Sequence, residues 1–370
     1  MIHPSVEIHR SMLPLSWLYG IGVNFRNGLY DRKILKQHSF DIPVICVGNI
    51  TAGGTGKTPH IEYLIRLLSP KYKVAVLSRG YKRKSRGFRI VDDDSKVWDV
   101  GDEPLQLKQK FPGTLVVVDK NRVGAIKKIL SIEKTERPDV ILLDDGFQHR
   151  RVRPSLSILL VDSNRPVFED RLLPAGLLRE PLKGKERASI VLVTKCKPDM
   201  QPIDFRIYTN GLDLFPYQQL YFTTFDYGDL KPVFPEIQAE IISLDELRKK
   251  HLFLVTGIAS PAPLVDKLEH KTYNLHTKFF PDHHSFTKED IKSIRNMIRS
   301  VEDENKIILT TEKDAVRFRA LSFLDDEMKK ILYYIPVRVS FVDDTKRKSF
   351  NHKIVEHVRN HQTNSRLSEK

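Results

Sequence analysis

Val44-Ile45-Cys46-Val47-Gly48-Asn49-Ile50-Thr51-Ala52-Gly53-Gly54-Thr55-Gly56-Lys57-Thr58-Pro59 is the stretch that decides how this chain folds. Its first half is apolar and largely β-branched, and it stops at Gly48. A glycine-rich turn follows, and Lys57-Thr58 opens a helix expected over residues 60–68. Strand, glycine-rich loop and helix in this order form the setting of a phosphate-binding P-loop. Small residues at Ala52, Gly53, Gly54 and Gly56 let the main chain wrap closely round a phosphate. The amides of Thr51 to Thr58, with Thr55 among them, and the helix N-terminus then face the anion. In that reading Lys57 reaches the β- and γ-phosphates and the Thr58 hydroxyl holds Mg²⁺. Thr51 stands where the usual pattern has its first glycine, so the path of the loop there is open. A glycine-rich turn that binds nothing is the alternative, and Gly-Lys-Thr between strand and helix argues against it.

Outward from this stretch, short apolar runs at 43–48, 73–78, 114–118, 139–144, 157–162 and 189–194 alternate with helical or looped segments. Strands that are apolar throughout have both faces covered, which predicts a parallel, doubly wound α/β sheet of P-loop NTPase type. Ligands on such a sheet bind beyond the carboxyl ends of the strands. The run Val140 to Leu143 ends in Asp144-Asp145, followed by Gly146-Phe147-Gln148-His149. An acidic strand end supplies a carboxylate to the Mg²⁺ shell of P-loop proteins. Tandem buried aspartates without a cation would be costly. Asp145 is favoured over Asp144 as the group nearer the metal. Arg79, after the second strand, is placed to reach a phosphate. The basic run Lys82 to Arg86 reads as a solvated loop. Gly101-Asp102-Glu103-Pro104 admits two readings. It is a helix entry in which carboxylates complement free amides, or it places Asp102 as a base and Glu103 near the metal. Thr194-Lys195-Cys196-Lys197 is similar to the guanine-reading motif of G proteins, but Lys197 stands where an acid is required.

The chain carries Lys+Arg 61 against Asp+Glu 47, a formal charge of +14. A basic surface points to an anionic partner, whether nucleotide, phospholipid headgroups or nucleic acid, or serves only to keep the chain in solution; charge alone does not choose. Cys46 and Cys196 sit in apolar runs and read as core residues of a reducing compartment. The longest uncharged N-terminal stretch, Ser11 to Phe25, is shorter than the about 20 residues that a membrane-spanning helix needs, and it does not read as a secretory signal. Residues 10–36 combine Leu15, Leu18, Phe25 and Leu29 on one helical face with Trp17, Tyr19 and flanking Arg10, Arg26, Arg32, Lys33 and Lys36. Such a segment lies in the interface plane of an anionic bilayer or packs on the protein's own core; the pattern allows both.

The sheet–helix rhythm lapses over 200–250, where β-character is expected at Leu220 to Asp226 and Glu240 to Ser243. It resumes with strands near 252–256, 273–279, 306–310 and 332–335 and helices over 261–269, 287–301 and 312–320. A basic helix over about 347–360 and a disordered polar tail close the chain. Phe280-Pro281-Asp282-His283-His284 suggests metal or proton chemistry, or a plain cap before the next helix. No second His or Cys cluster completes a zinc set.

Together these motifs resemble the tetraacyldisaccharide 4'-kinase family, the lipid A 4'-kinases. The resemblance rests on the P-loop stretch, Ser78-Arg79-Gly80-Tyr81, Gly101 to Pro104, Leu143 to His149, Leu173-Pro174-Ala175-Gly176 with Leu178-Arg179-Glu180-Pro181, Asp282-His283-His284, and Thr311-Glu312-Lys313-Asp314-Ala315. It covers most of residues 13–320. It implies an ATP- and Mg²⁺-dependent kinase that phosphorylates the 4'-hydroxyl of a tetraacylated glucosamine disaccharide 1-phosphate to give lipid IV-A. The enzyme would sit on the cytoplasmic face of the bacterial inner membrane, held through residues 10–36, with no nucleic acid and no obligate protein partner. The division expected is residues 1–40 membrane-associating, 41–215 kinase, 216–250 linker with a β-ribbon, 251–345 a smaller C-terminal α/β unit, and 346–370 helix and tail. The resemblance further implies that Asp102 and His283 act together on the sugar hydroxyl, beside Lys57 and Asp145. Arg79, Arg122, Gln148, His149 and Arg179 would contact the substrate. A regulatory P-loop NTPase or a soluble small-metabolite kinase is the rival reading of the same loop.

Overall fold

The computed structural model describes residues 6–272 and 274–368. Residues 1–5 of the N-terminal segment, 369–370 of the tail, and Tyr273 at the head of the expected strand 273–279 lie outside it.

Nine strands form the larger sheet: β1 (Val44–Gly48), β2 (Val74–Ser78), β3 (Arg89–Ile90), β4 (Leu115–Val118), β5 (Val140–Asp144), β6 (Leu156–Asp162), β7 (Ile190–Thr194), β8 (Gln219–Tyr227) and β14 (Val337–Phe341). Their order is β14-β8-β7-β6-β1-β5-β2-β4-β3. Pairing is parallel except at the two edges, where β3 runs against β4 and β14 against β8. The smaller sheet is ordered β11-β10-β12-β13-β9, from β9 (Lys231–Pro232), β10 (His251–Thr256), β11 (Leu275–Phe279), β12 (Lys306–Thr311) and β13 (Leu332–Ile335). The helices are α1 (Leu13–Asp31), α2 (Lys57–Leu68), α3 (Val97–Val100), α4 (Asp102–Lys110), α5 (Arg122–Leu130), α6 (Pro202–Leu212), α7 (Ala262–Glu269), α8 (Lys288–Arg299), α9 (Glu312–Arg319), α10 (Asp326–Ile331) and α11 (Asp344–Ser368).

The apolar run of β1 is buried along its whole length because helices cover both faces of its sheet. Alternate side chains serve opposite cores. Ile45 and Val47 pack with Ile61, Leu64, Phe350 and Ile354. Val44 and Cys46 pack with Ile126, Leu178 and Tyr208 on the other side. Each such Ile or Leu contributes about 1.5–3 kcal/mol of burial. A charge at Ile45, with 0 % exposure, would have no partner there. β1 lies between β5 and β6, so the P-loop leaves the sheet at its middle.

Several boundaries differ from the expectation. α2 begins at Lys57, not at residue 60, because the helix grows directly out of the loop. Residues 240–243 contribute only a bridge, Ile242 to Leu230. The strand 337–341 belongs to the larger sheet, inside the segment assigned to the smaller unit. The tail expected to be disordered continues α11 to Ser368. β8 does fall on the expected β segment, and with β14 it makes the antiparallel pair through which the chain leaves and re-enters the larger sheet.

In α1 the buried residues are Ser16, Gly20 and Tyr30. The Ser16 hydroxyl accepts a hydrogen bond from the Ala175 amide at 2.9 Å, and the Tyr19 hydroxyl donates to the Arg179 carbonyl at 2.8 Å. A Cβ at Gly20 would lie 2.8 Å from Leu172 Cδ1. The helix therefore seats on its small residues and turns Leu15, Trp17, Leu18 and Phe25 outward, at 53 %, 68 %, 59 % and 69 % exposure. Among the described residues no helix is long and apolar enough to cross a membrane.

Candidate active site

Four strands of the larger sheet deliver their carboxyl ends to one cleft of about 820 Å³. β1 gives the glycine-rich loop. Gly56 holds φ +83°, and a Cβ there would lie 2.6 Å from the Phe225 ring, so both backbone and space demand glycine. Lys57 then starts α2 and sits 3.6 Å from Asp145. β2 gives Ser78 and Arg79, and β4 is followed by Arg122. Asp144 and Asp145 stand at the end of β5, where Asp145 takes a left-handed φ of +46°. That backbone turn points the two adjacent carboxylates differently.

Their environments differ too. Asp144 is buried and accepts a hydrogen bond from the Ser78 hydroxyl at 3.0 Å, while its Oδ1 has no partner. Burial, then the charges of Glu103 and Asp145, push its carboxyl up to about 7, against the pull of Lys57. Asp145 is also penalised by burial, yet Lys57 and Arg179, the latter 3.4 Å away, hold it below the usual carboxylate range. Asp145 is thus the more acidic member of the pair, and Asp144 the one that holds its proton more tightly. Among the described residues no three His, Cys, Asp or Glu side chains converge as a metal cage. A divalent ion here would need phosphate oxygens to complete its shell, as Mg²⁺ does in P-loop proteins. The unpartnered, buried Asp144 Oδ1 beside Asp145 fits such an ion.

The smaller unit closes the cleft from the other side. Asp102 starts α4 on the larger unit, after Gly101 with φ +96°. His283, in a left-handed backbone at φ +59°, places Nδ1 3.0 Å from Asp102 Oδ2. Arg317 of α9 donates to the same oxygen through Nε at 3.1 Å and through Nη2. Arg317 Nη1 donates to Asp314 at 2.5 Å, and Asp314 accepts from the hydroxyls of Thr256 and Thr311. Lys313 lies 3.0 Å from His283 Nε2 and 3.2 Å from both Glu103 and Asp282. Tyr81 packs against the His283 ring with centroids 4.7 Å apart. Burial disfavours an ionised Asp102, but the His283 hydrogen bond and the Arg317 and Lys313 charges outweigh it and hold the carboxyl well below the usual range.

The cleft is lined by Ala52, Gly53, Gly54, Lys57, Arg79, Glu103, Arg122, Asp144, Asp145, Gln148, His149, Arg179 and His283 among the residues singled out in the sequence. Thr55, Gly56 and Thr58 line an adjoining apolar recess with Phe225, Tyr227, Ile258, Leu264, Ile335 and Val337. Two expected site residues do not face the space. Thr51 is buried, bridges to Leu178 and donates its hydroxyl to main-chain carbonyls, so its side chain anchors the loop. Asp102 lies behind His283. Gln148 is oriented by Asn49 O at 2.5 Å and Glu180 at 3.0 Å. Burial and then Arg122 and Arg151 push the His149 imidazole down to about 4, leaving its Nε2 unpartnered. Arg317 escaped sequence reasoning altogether. It stands three residues after Asp314 in the Thr-Glu-Lys-Asp run, the spacing at which helical side chains meet.

The chain matches the sequence family described as Tetraacyldisaccharide-1-P 4'-kinase (LpxK) over residues 8–359. A protein of Phocaeicola vulgatus named tetraacyldisaccharide 4'-kinase is 49 % identical over 98 % of this chain and 99 % of its own length. One of the same name from Bacteroides thetaiotaomicron is 48 % identical over 99 % of this chain and 97 % of its own. Among solved structures, LpxK of Aquifex aeolicus in complex with ATP superimposes with a TM-score of 0.70 at 30 % identity, over 93 % of this chain and 98 % of that one. Fold, motifs and near-complete coverage agree, and this chain belongs to the tetraacyldisaccharide 4'-kinase family.

Proposed function

We propose that the cleft transfers the γ-phosphoryl group of ATP to the 4'-hydroxyl of a tetraacylated disaccharide 1-phosphate, giving lipid IV-A, with His283 as the proton acceptor. The observation that carries this reading is the Asp102–His283 contact made between the two units, within one cleft with Lys57 and the Asp144–Asp145 pair. The amides of Gly53 to Thr58 and the Lys57 ammonium cradle the β- and γ-phosphates, the Ala52 amide being held by the Leu177 carbonyl at 2.7 Å. The apolar recess beside Phe225, Ile258 and Val337 takes the nucleobase. Thr58 and Asp145, with Asp144 behind, would hold Mg²⁺, which supplies positive charge to phosphate oxygens.

The acceptor oxygen forms its bond to the γ-phosphorus as the bond to the β-phosphate oxygen breaks, and ADP leaves. The hydroxyl proton passes to His283. Between the two members of the dyad, the imidazole faces the cleft and the carboxylate does not. A carboxyl held so far below its usual range by the His283 hydrogen bond and the Arg317 charge is a weak base. Its work is to accept Nδ1–H and fix the tautomer that presents Nε2, as in other carboxylate–imidazole pairs. Lys313, now at Nε2, moves to the phosphoryl oxygens as the cleft fills. Arg79, Arg122 and Arg179 neutralise phosphate charge, while Gln148 and His149 orient the sugar.

The exposed apolar face of α1 with its basic flanks lies in the interface plane of the cytoplasmic side of the inner membrane, and the acylated acceptor reaches the cleft from there. The kinase, linker and smaller units fall near 41–215, 216–250 and 251–336, with β14 and α11 returning to the kinase unit. Incubating the protein with ATP labelled in the γ-phosphate tests the function. Label in the lipid disaccharide is the expected result; label released only as free phosphate would leave the regulatory NTPase reading.

A further inference from the structure

A second cavity, of about 580 Å³, opens at the root of α1 and is lined by Arg26, Tyr30, Leu35, Lys36, His38, Asn121, Val123 and Arg151. Three full cations and an imidazole converge on it, and no acidic residue lines it. Among the described residues Arg26, Lys36 and Arg151 make no ion pair, although their neighbour Arg150 is held by Asp31 at 2.6 Å. The backbone round the cavity is fixed: the His38 amide donates to the Arg151 carbonyl at 2.8 Å, and the Arg153 amide donates to the His38 carbonyl at 2.9 Å. Like charges held together without a counter-ion repel one another, so the arrangement costs stability unless an anion shares it. Arg26 also lines the reaction cleft and donates to the Gln148 carbonyl at 3.0 Å, so one side chain stands in the walls of both spaces. Phe25 and Ile34, at 69 % and 65 % exposure, stand in the same α1 region. An occupant is therefore anionic where it meets the cavity and apolar where it meets α1.

We infer that Arg26, Lys36, His38 and Arg151 bind a phosphate ester carried on a membrane lipid while the reaction proceeds next door. The inference rests on the kinase reading above. Two sources share this chemistry: the phosphate that the acceptor already carries on its reducing sugar, and the headgroup of an anionic phospholipid.

The test uses full-length protein with Lys36→Gln and Arg151→Gln together, both exposed positions, and with Lys36→Arg and Arg151→Lys as the charge-keeping control. KM is measured for the acceptor with and without its reducing-end phosphate, in neutral detergent micelles. Flotation is measured on phosphatidylcholine vesicles with and without phosphatidylglycerol. If the acceptor supplies the phosphate, the neutralised variant raises KM for the phosphorylated acceptor about tenfold and the preference over the dephosphorylated one disappears. If a phospholipid supplies it, that preference stays and the variant loses its added binding to the anionic vesicles. Either result supports the site, provided the charge-keeping variant behaves as wild type. A neutralised variant that matches wild type in both measurements overturns it. Wild-type protein that transfers no phosphoryl group to either acceptor would instead sink the kinase reading.

Discussion

Asp144 and Asp145 are chain neighbours at the end of β5, yet burial and Lys57 drive their carboxyls in opposite directions. The linkage has a definite sign. A folded carboxyl raised to about 7 binds its proton more tightly than in the unfolded chain, whose value is 3.8. The stability from Asp144 is complete below that lower value and is lost as pH rises through about 7. Asp144→Asn should therefore raise the melting temperature of metal-free protein more at pH 8 than at pH 5. In the Mg²⁺ site proposed above the charged form of Asp144 is required, so wild-type affinity for Mg²⁺ with ATP should strengthen as pH rises from 6 to 8, with proton release visible by calorimetry. The Asn variant should bind more weakly with a flatter profile. A wild-type affinity independent of pH in that window would exclude Asp144 from the ion's surroundings. His283→Gln should lower kcat by about 10²–10⁴, the usual range for a proton acceptor, while the ATP KM changes little. Asp102→Asn should lower kcat as well, and by taking away one of the two carboxylates that hold Arg317 it should also destabilise the fold by about 2 kcal/mol, measurable by urea unfolding.

α4 carries chemistry at one end and a bracket at the other. Asp102 and Glu103 open it, and Lys110 closes it 2.7 Å from Glu62 of α2 and 2.6 Å from Glu312 of α9. Glu62 also accepts from Gln106 and Arg66. One lysine thus ties the P-loop helix to the helix that bears Lys313 and Arg317. Lys110→Met removes the cation that Glu62 and Glu312 share and leaves Glu62 with Arg66 alone. It should cost about 2–3 kcal/mol and lower kcat more than the ATP KM, and Lys110→Arg should recover most of both in the same steady-state assay. Elements of this sort also mark what could be read in advance. β1, β5 and β7 were legible because burial on both faces leaves an unbroken apolar run. The P-loop was legible because backbone wrapping round phosphate demands small residues in a fixed order. The seating of α1 was not, since the pattern weighs apolar residues and the helix packs on Ser16 and Gly20. Thr51, which stands where the loop pattern has its first glycine, turns its hydroxyl to the Leu177 carbonyl. Arg317 meets Asp102 across 215 residues of chain, a proximity that no local spacing encodes. The edge strand β14 is short and half-polar, and only its pairing with β8 identifies it.

At the scale of the whole molecule, charge and apolar surface are arranged for one another. The formal charge is +14, and α1 turns Trp17, Leu18 and Phe25 to solvent beside Arg26. An exposed apolar stripe of this kind marks an interaction surface. Trp17→Ser with Phe25→Ser should reduce flotation on anionic vesicles by roughly 10- to 100-fold, from the burial lost by two aromatic side chains, while activity on detergent-dispersed acceptor survives. Equal flotation of variant and wild type would leave α1 without a role at the bilayer.

The chain departs the nine-stranded sheet along β8 and comes home along β14, with Tyr227 directly opposite Val337. Everything between them is, in topological terms, a parenthesis. Joining those two residues by a tight hairpin turn would excise the five-stranded sheet and leave every other strand of the large sheet with its neighbours. Such a miniature should still gather nucleotide phosphates at Lys57, while it would lack His283, the proton acceptor proposed above, together with Lys313 and Arg317. With the proton acceptor as proposed, the architecture separates holding a nucleotide from spending it, and places the second faculty on a removable piece.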